Sequence, residues 1–271
     1  MALQTNGLKV TKVIGGNGLN ELALFAGAGG GILGGHLLGW RTVCAVEWES
    51  YPASVLLARQ NDGILPPFPI WDDVQTFDGK PWRGIVDVVS GGFPCQDISA
   101  AGKGGGIESE RRGMWKEMAR IIGEVRPQYT FIENSPMLTI RGLESVLADL
   151  ATMGFDAEWG VLSAADVGAN HLRERIWIVA KISNSKCNRW TKGNDAKLET
   201  NQTIGASSPI PFKSSIKGLD RNSWKTEPDV CRVVNGMASA MDRLKAIGNG
   251  QVPLCAATAW NILKGRLDER I

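Results

Sequence analysis

Strand-like apolar runs at 22–26, 42–46, 85–90, 129–132 and 176–180 alternate with helical patterns at about 50–60, 113–125 and 141–153. This alternation constrains the fold more than any other feature of the chain. A parallel neighbour in a sheet needs a crossover connection, usually a helix. The pattern therefore predicts an α/β fold built on a doubly wound, mostly parallel sheet covered on both faces. The opening is a βαβ unit whose first turn is rich in glycine, Phe25-Ala26-Gly27-Ala28-Gly29-Gly30. Leu143, Val146, Leu147 and Leu150 fall at i, i+3, i+4 and i+7, the buried face of a helix. Arg126-Pro127 ends the helix before it. The 271 residues, 43% of them hydrophobic, suffice for one large domain and a small appendage.

The pattern changes after Ile182. Residues 183–225 are rich in Ser, Asn, Lys, Thr and Gly and lack periodicity. Residues 181–225 hold nine Lys or Arg against three acids, a net +6 in a chain whose total is +2. The rest of the chain is therefore −4. Such concentrated positive charge reads as a phosphate-binding footprint or as a solvated loop. Helical apolar pattern resumes near Val230 and runs to the C-terminus.

No apolar run is long enough to span a bilayer, and Met1-Ala2-Leu3-Gln4-Thr5 does not open a secretory signal. Five cysteines without repeated spacing argue against a disulfide framework. The absence of Cys-x-x-Cys and the separation of His36 from His171 argue against zinc, so no metal is expected. A reducing cytoplasm fits this cysteine usage.

The turn from Phe25 to Gly31 offers glycines for close backbone approach and a helix N-terminus for an anionic group. Glu47 ends the next strand twenty residues after Gly27, a spacing suited to ribose hydroxyls. A dinucleotide G-x-G-x-x-G beginning at Gly27 needs glycine at 32, where Ile32 stands. A nicotinamide oxidoreductase is thus disfavoured, and other nucleosides with an anionic tail fit equally well.

The run Ile85 to Val89 leads into Gly91-Gly92-Phe93-Pro94-Cys95-Gln96-Asp97. Pro94 restricts its own φ and holds Phe93 extended, a turn able to present the Cys95 thiol in a set direction. A buried, inert cysteine is the alternative reading.

Phe93-Pro94-Cys95-Gln96 resembles the nucleophile motif of the DNA cytosine-5 methyltransferases. Glu133-Asn134-Ser135-Pro136, His171-Leu172-Arg173-Glu174-Arg175 and Gly248-Asn249-Gly250-Gln251-Val252-Pro253 resemble that family's remaining signatures, in its order. Together with the turn at 25–30 they span about residues 20–182 and 226–262. The resemblance implies a Rossmann-like methyltransferase fold, with a catalytic domain of 1–182 and 226–271 and a short target-recognition region of 183–225.

It further implies S-adenosyl-L-methionine as cofactor. Phe25 and Trp48 would sandwich adenine, Glu47 would bind ribose and Asp73 the adenine amino group. Gly27 and Gly29 would face the methionine portion, while Asn249 and Val252 close the pocket. Val74, Pro94 and Met114 are also expected in the cofactor site. Cys95 is implied as the nucleophile that attacks cytosine C6, Glu133 as the acid at N3, and Arg175 as the partner of O2. Arg173 would support the loop or the substrate backbone. Gln96, Ser99 and Lys103 would contact DNA, the glycine-rich stretch 99–106 closing over a flipped base. Two departures stand out: Ala23 where the family often has an acid, and Gln251 where it commonly has an apolar residue.

The implied partner is double-stranded DNA, with an RNA such as tRNA as the alternative substrate. A binding protein that no longer turns over is a further reading, disfavoured because every candidate catalytic side chain is present. A monomer without membrane association is expected. The resemblance leaves open a restriction endonuclease partner, a phage-protective role or solitary action.

Overall fold

The computed structural model describes residues 18–94, 111–183, 242, 245, 246 and 248–270. It contains one seven-stranded sheet: β1 (Asn20–Leu24), β2 (Arg41–Val46), β3 (Ile70–Trp71), β4 (Val88–Gly91), β5 (Tyr129–Asn134), β6 (Phe155–Ser163) and β7 (Glu174–Ile182). The strand order is β3-β2-β1-β4-β5-β7-β6. Every pairing from β3 to β5 is parallel, and β7 runs antiparallel to both β5 and β6. The sheet is thus doubly wound and mostly parallel.

Helices α1 (Gly30–Leu37), α2 (Ser50–Asn61), α3 (Arg111–Val125), α4 (Leu143–Thr152) and α5 (Pro253–Arg270) cover it. Met118, Ile121 and Ile122 of α3 and Val146 and Leu150 of α4 pack with Leu22, Val89 and Ile132 on one face. On the other face, Ile32 of α1 and Leu56 of α2 pack with Ala23 and Ala45. Trp260 of α5 completes that face against Trp40, Tyr129 and Phe131, with ring centroids 4.6, 5.3 and 5.5 Å away. All residues of β4 and β5 are buried, as central strands covered on both faces must be.

Two elements differ from the sequence expectation. β4 begins at Val88, because the backbone amides of Ile85 and Val86 are turned back onto the carbonyl of Trp82 and Ile85 stays half exposed. β6 is a nine-residue strand that the sequence reading left unassigned; it forms an antiparallel hairpin with β7 along its full length. The short target-recognition region lies outside the described residues apart from Ser183.

Glycines set how closely these elements approach. A Cβ on Gly34 would lie 2.7 Å from that of Ala256, and one on Gly30 would lie 2.2 Å from the carbonyl oxygen of Gln251. Helix α1 therefore meets α5 and the segment before it nearly backbone to backbone. Arg120 of α3 reaches back to the carbonyls of Val74 and Phe77 at 2.9 and 3.0 Å. It pins the segment that carries Asp73 beside the strand ends.

Candidate active site

The C-terminal ends of β1, β2, β4 and β5 open onto a cleft of about 650 Å³. This is where an open α/β sheet receives its ligands, and the volume suits a cofactor-sized molecule. Phe25 and the largely exposed Trp48 contribute aromatic surface to its wall. Phe25 follows β1 with φ at +52°, a conformation rare for an aromatic residue, and so turns out of the sheet plane. Gly27 follows at φ +55°.

Glu47 sits between them. Its Oε2 accepts from the Gly27 amide at 2.7 Å and its Oε1 from the Glu49 amide at 2.8 Å. Burial pushes this carboxyl above the ordinary range, and the two amides pull it back. Each oxygen keeps a lone pair for a ligand hydroxyl. Asp73 also lines the cleft, with Oδ1 accepting from the amide of Gln75 at 2.9 Å. Val74, Pro94, Met114 and Asn249 complete the expected wall. Gly29 and Val252 lie elsewhere. Gly29 caps α1 at φ +89°, where a Cβ would strike Leu56, and Val252 packs against the aromatic core of α5.

At the inner end of the same cleft stands Glu133, the penultimate residue of β5 and 8% exposed. The Nε of Arg175 donates to its Oε1 at 2.8 Å. Burial pushes the Glu133 carboxyl upward, while Arg175, Arg173 and Gln251 oppose that shift. A carboxyl so placed keeps its proton more readily than a solvated one and is still oriented by a guanidinium. Arg173 adds its charge beside this pair, and its Nη2 donates to the Gly250 carbonyl at 2.6 Å. It ties the segment entering β7 to the segment entering α5.

The turn after β4 is held against the same strand end. The Asn134 side-chain amide donates to the Phe93 carbonyl at 3.1 Å, and Phe93 packs on Trp115. A Cβ on Gly91 would lie 2.6 Å from the Leu24 carbonyl oxygen, and one on Gly92 would lie 2.4 Å from Glu133 Oε2. Glycine is needed at both positions for closeness rather than for φ. Asn134 and Lys245 were not among the expected site residues. Glu-Asn-Ser-Pro offered a signal for Asn134; nothing local in the sequence pairs Lys245 with Glu49, which it meets at 2.8 Å beside the cleft. Cys95, Gln96, Ser99 and Lys103 lie outside the described residues.

The arrangement supplies aromatic surface and a pinned carboxylate at one end, and a buried carboxyl paired with a guanidinium at the other. Among the described residues, no group of three His, Cys, Asp or Glu side chains is placed to hold a metal. Among them, too, no helix is long and apolar enough to cross a membrane.

Residues 19–239 match the family model described as C-5 cytosine-specific DNA methylase. The Type II methyltransferase M.Eco47II of Escherichia coli is 35% identical over 178 residues, covering 62% of this chain and 40% of the relative. M.NgoMIV of Neisseria gonorrhoeae is 32% identical over 191 residues, covering 66% and 57%. M.HhaI of Haemophilus parahaemolyticus is 31% identical over 166 residues, covering 60% and 49%. The chain thus spans about half the length of the curated relatives it matches. A solved mutant of DNMT2 from Spodoptera frugiperda superposes with a TM-score of 0.50 at 20% identity, covering 65% of this chain and 54% of that one. That likeness concerns the fold alone.

Proposed function

The chain belongs to the C-5 cytosine-specific DNA methylase family, and from that membership we propose that it methylates C5 of a cytosine flipped out of duplex DNA. The observation that carries the reading is the Arg175–Glu133 pair in the cleft that also holds Phe25, Glu47 and Trp48. One cleft then serves both a nucleoside cofactor and a pyrimidine ring.

S-adenosylmethionine fits the cleft: Phe25 and Trp48 offer faces for adenine, Glu47 an acceptor for the ribose diol, and Asp73 one for the adenine amine. When bound, it supplies the electrophilic methyl group that C5 takes up. All other steps belong to the chain. Cys95 follows Pro94, itself on the cleft wall. Its thiolate adds to C6, which turns the ring into an enamine nucleophilic at C5. Glu133 donates a proton toward N3 as charge develops there, and Arg175 holds both Glu133 and the ring oxygen. After transfer, a water takes the C5 proton, N3 returns its proton to Glu133, and expulsion of the Cys95 thiolate restores the aromatic ring. The net positive charge of 183–225 suits the DNA backbone. We infer a monomeric enzyme whose partner is duplex DNA, with a paired restriction endonuclease as one biological setting.

The test is methyl transfer from labelled S-adenosylmethionine to unmethylated DNA and to tRNA, with bisulfite sequencing of the products. Cytosines protected in one short DNA context support the reading, and their loss in Cys95→Ala with DNA binding retained supports the mechanism. Turnover by Cys95→Ala would overturn the mechanism, and methylation of tRNA alone would overturn the substrate.

A further inference from the structure

Gln251 occupies a slot that three glycines keep open. Its backbone carbonyl oxygen lies 2.2 Å from where a Gly30 Cβ would stand, and its Oε1 lies 2.4 Å from that of Gly31. Its Nε2 lies 3.2 Å from that of Gly92 and donates to Glu133 Oε2 in a long hydrogen bond of 3.5 Å. The side-chain orientation follows from charge: Nε2 toward a carboxylate attracts, whereas Oε1 there would repel. Arg175 already occupies the other carboxyl oxygen at 2.8 Å. Glu133 is therefore gripped at both oxygens, from a β-strand on one side and from the segment entering α5 on the other. Arg173 braces that same segment through the carbonyl of Gly250, the residue before Gln251.

We propose that Gln251 is a positioning residue for Glu133, clamping its second carboxyl oxygen so that the acid meets the substrate base in one orientation. This deepens the reading of Glu133 as the proton donor and rests on it. An apolar residue at 251 would fill the same slot without a donor. Among the described residues, the charged groups acting on Glu133 are Arg175 and Arg173, and the α1 side offers only Gly30 and Gly31. Removing the Gln251 donor therefore moves the Glu133 titration upward, since a donor on Oε2 opposes a proton there.

The decisive comparison is Gln251→Met, which keeps length and volume and loses the amide. The full chain, carboxyl-labelled with ¹³C at glutamate, is titrated by NMR, and the Glu133 resonance is identified by its loss in Glu133→Gln. The expected result is a higher midpoint in Gln251→Met at unchanged Tm. On unmethylated DNA, kcat falls about tenfold, the scale of one lost hydrogen bond. KM for S-adenosylmethionine stays within about twofold because Gln251 does not line the main cleft. An unmoved midpoint would overturn the proposal, whatever the activity. Absence of methyl transfer by the unaltered chain would instead overturn the functional reading, and the titration would still decide the role of Gln251.

Discussion

Arg175 reaches Glu133 across two adjacent antiparallel strands, its Nε 2.8 Å from Oε1. The two residues are 42 positions apart, yet the start of β7 lies beside the end of β5. Arg175 is the largest influence opposing the burial-driven rise in the Glu133 pKa. Arg175→Met should therefore raise that pKa further and leave the carboxyl held only at Oε2, by Gln251. We expect methyl transfer to fall roughly a hundredfold or more, in the range of a lost acid–base contribution. Arg175→Lys should recover little, because an ammonium lacks the planar fork that can hold a carboxylate and a ring oxygen together. Single-turnover rates against pH check both; wild-type rates in Arg175→Lys would refute the role.

Gly92 tests how tightly that carboxyl is placed. A Cβ at this position would stand 2.4 Å from Glu133 Oε2, so Gly92→Ala must displace a group held by Arg175 and Gln251. A displacement near 1 Å at a reacting group costs on the order of a hundredfold in rate. The expected outcome is lost transfer in a folded protein that still unfolds cooperatively. Kinetics paired with thermal melts would show it, and retained activity would mean that the pocket yields.

Glu21 carries a stability prediction separate from the chemistry. It is 1% exposed on β1 and accepts from Ser90 Oγ at 2.6 Å and Thr42 Oγ1 at 2.7 Å. Burial raises its pKa from 4.5 to about 7, against the two hydroxyl donors. Between those values the folded chain holds a proton that the unfolded chain has released. Stability is thus fully present below pH 4.5 and declines as pH rises to about 7, by on the order of 3 kcal/mol. Urea midpoints at pH 5 and pH 8 should differ less in Glu21→Gln than in the wild type. Equal differences would exclude Glu21 as the source.

Glu47 has two oxygens for two backbone amides, those of Gly27 and Glu49. Glu47→Gln offers one oxygen, so one amide loses its acceptor and the ribose contact weakens. S-adenosylmethionine binding, measured calorimetrically, should fall about ten- to a hundredfold, the worth of a hydrogen bond to a charged group. Unchanged affinity would move the ribose away from Glu47.

Much of the fold was legible because periodicity reports burial. The leucines of α4 and the apolar run of β4 each announced a covered face. β6 escaped because the face that carries Leu162 also carries Glu158 and Gly160, and the buried Glu158 forms an ion pair with Arg270. β3, at two residues, carries too little pattern to detect. In the site, Phe25, Glu47, Trp48, Asp73 and Glu133 line one cleft. Gly29 caps α1 and Val252 packs on the core beneath α5.

The sequence by itself determined the alternation of five of the seven strands with helices, the glycine turn after β1 and the identity of the side chains that carry chemistry. These are local properties, written in spacing and residue type. The tertiary structure decided direction and closeness. Because β7 runs antiparallel, its first residues lie at the sheet edge where β5 ends, so Arg175 meets Glu133; a parallel strand would have left it at the opposite edge. Packing of α1 on the segment entering α5 then brought Gln251 between Gly31 and Gly92, a contact among residues whose separation in the chain gives no hint of their meeting.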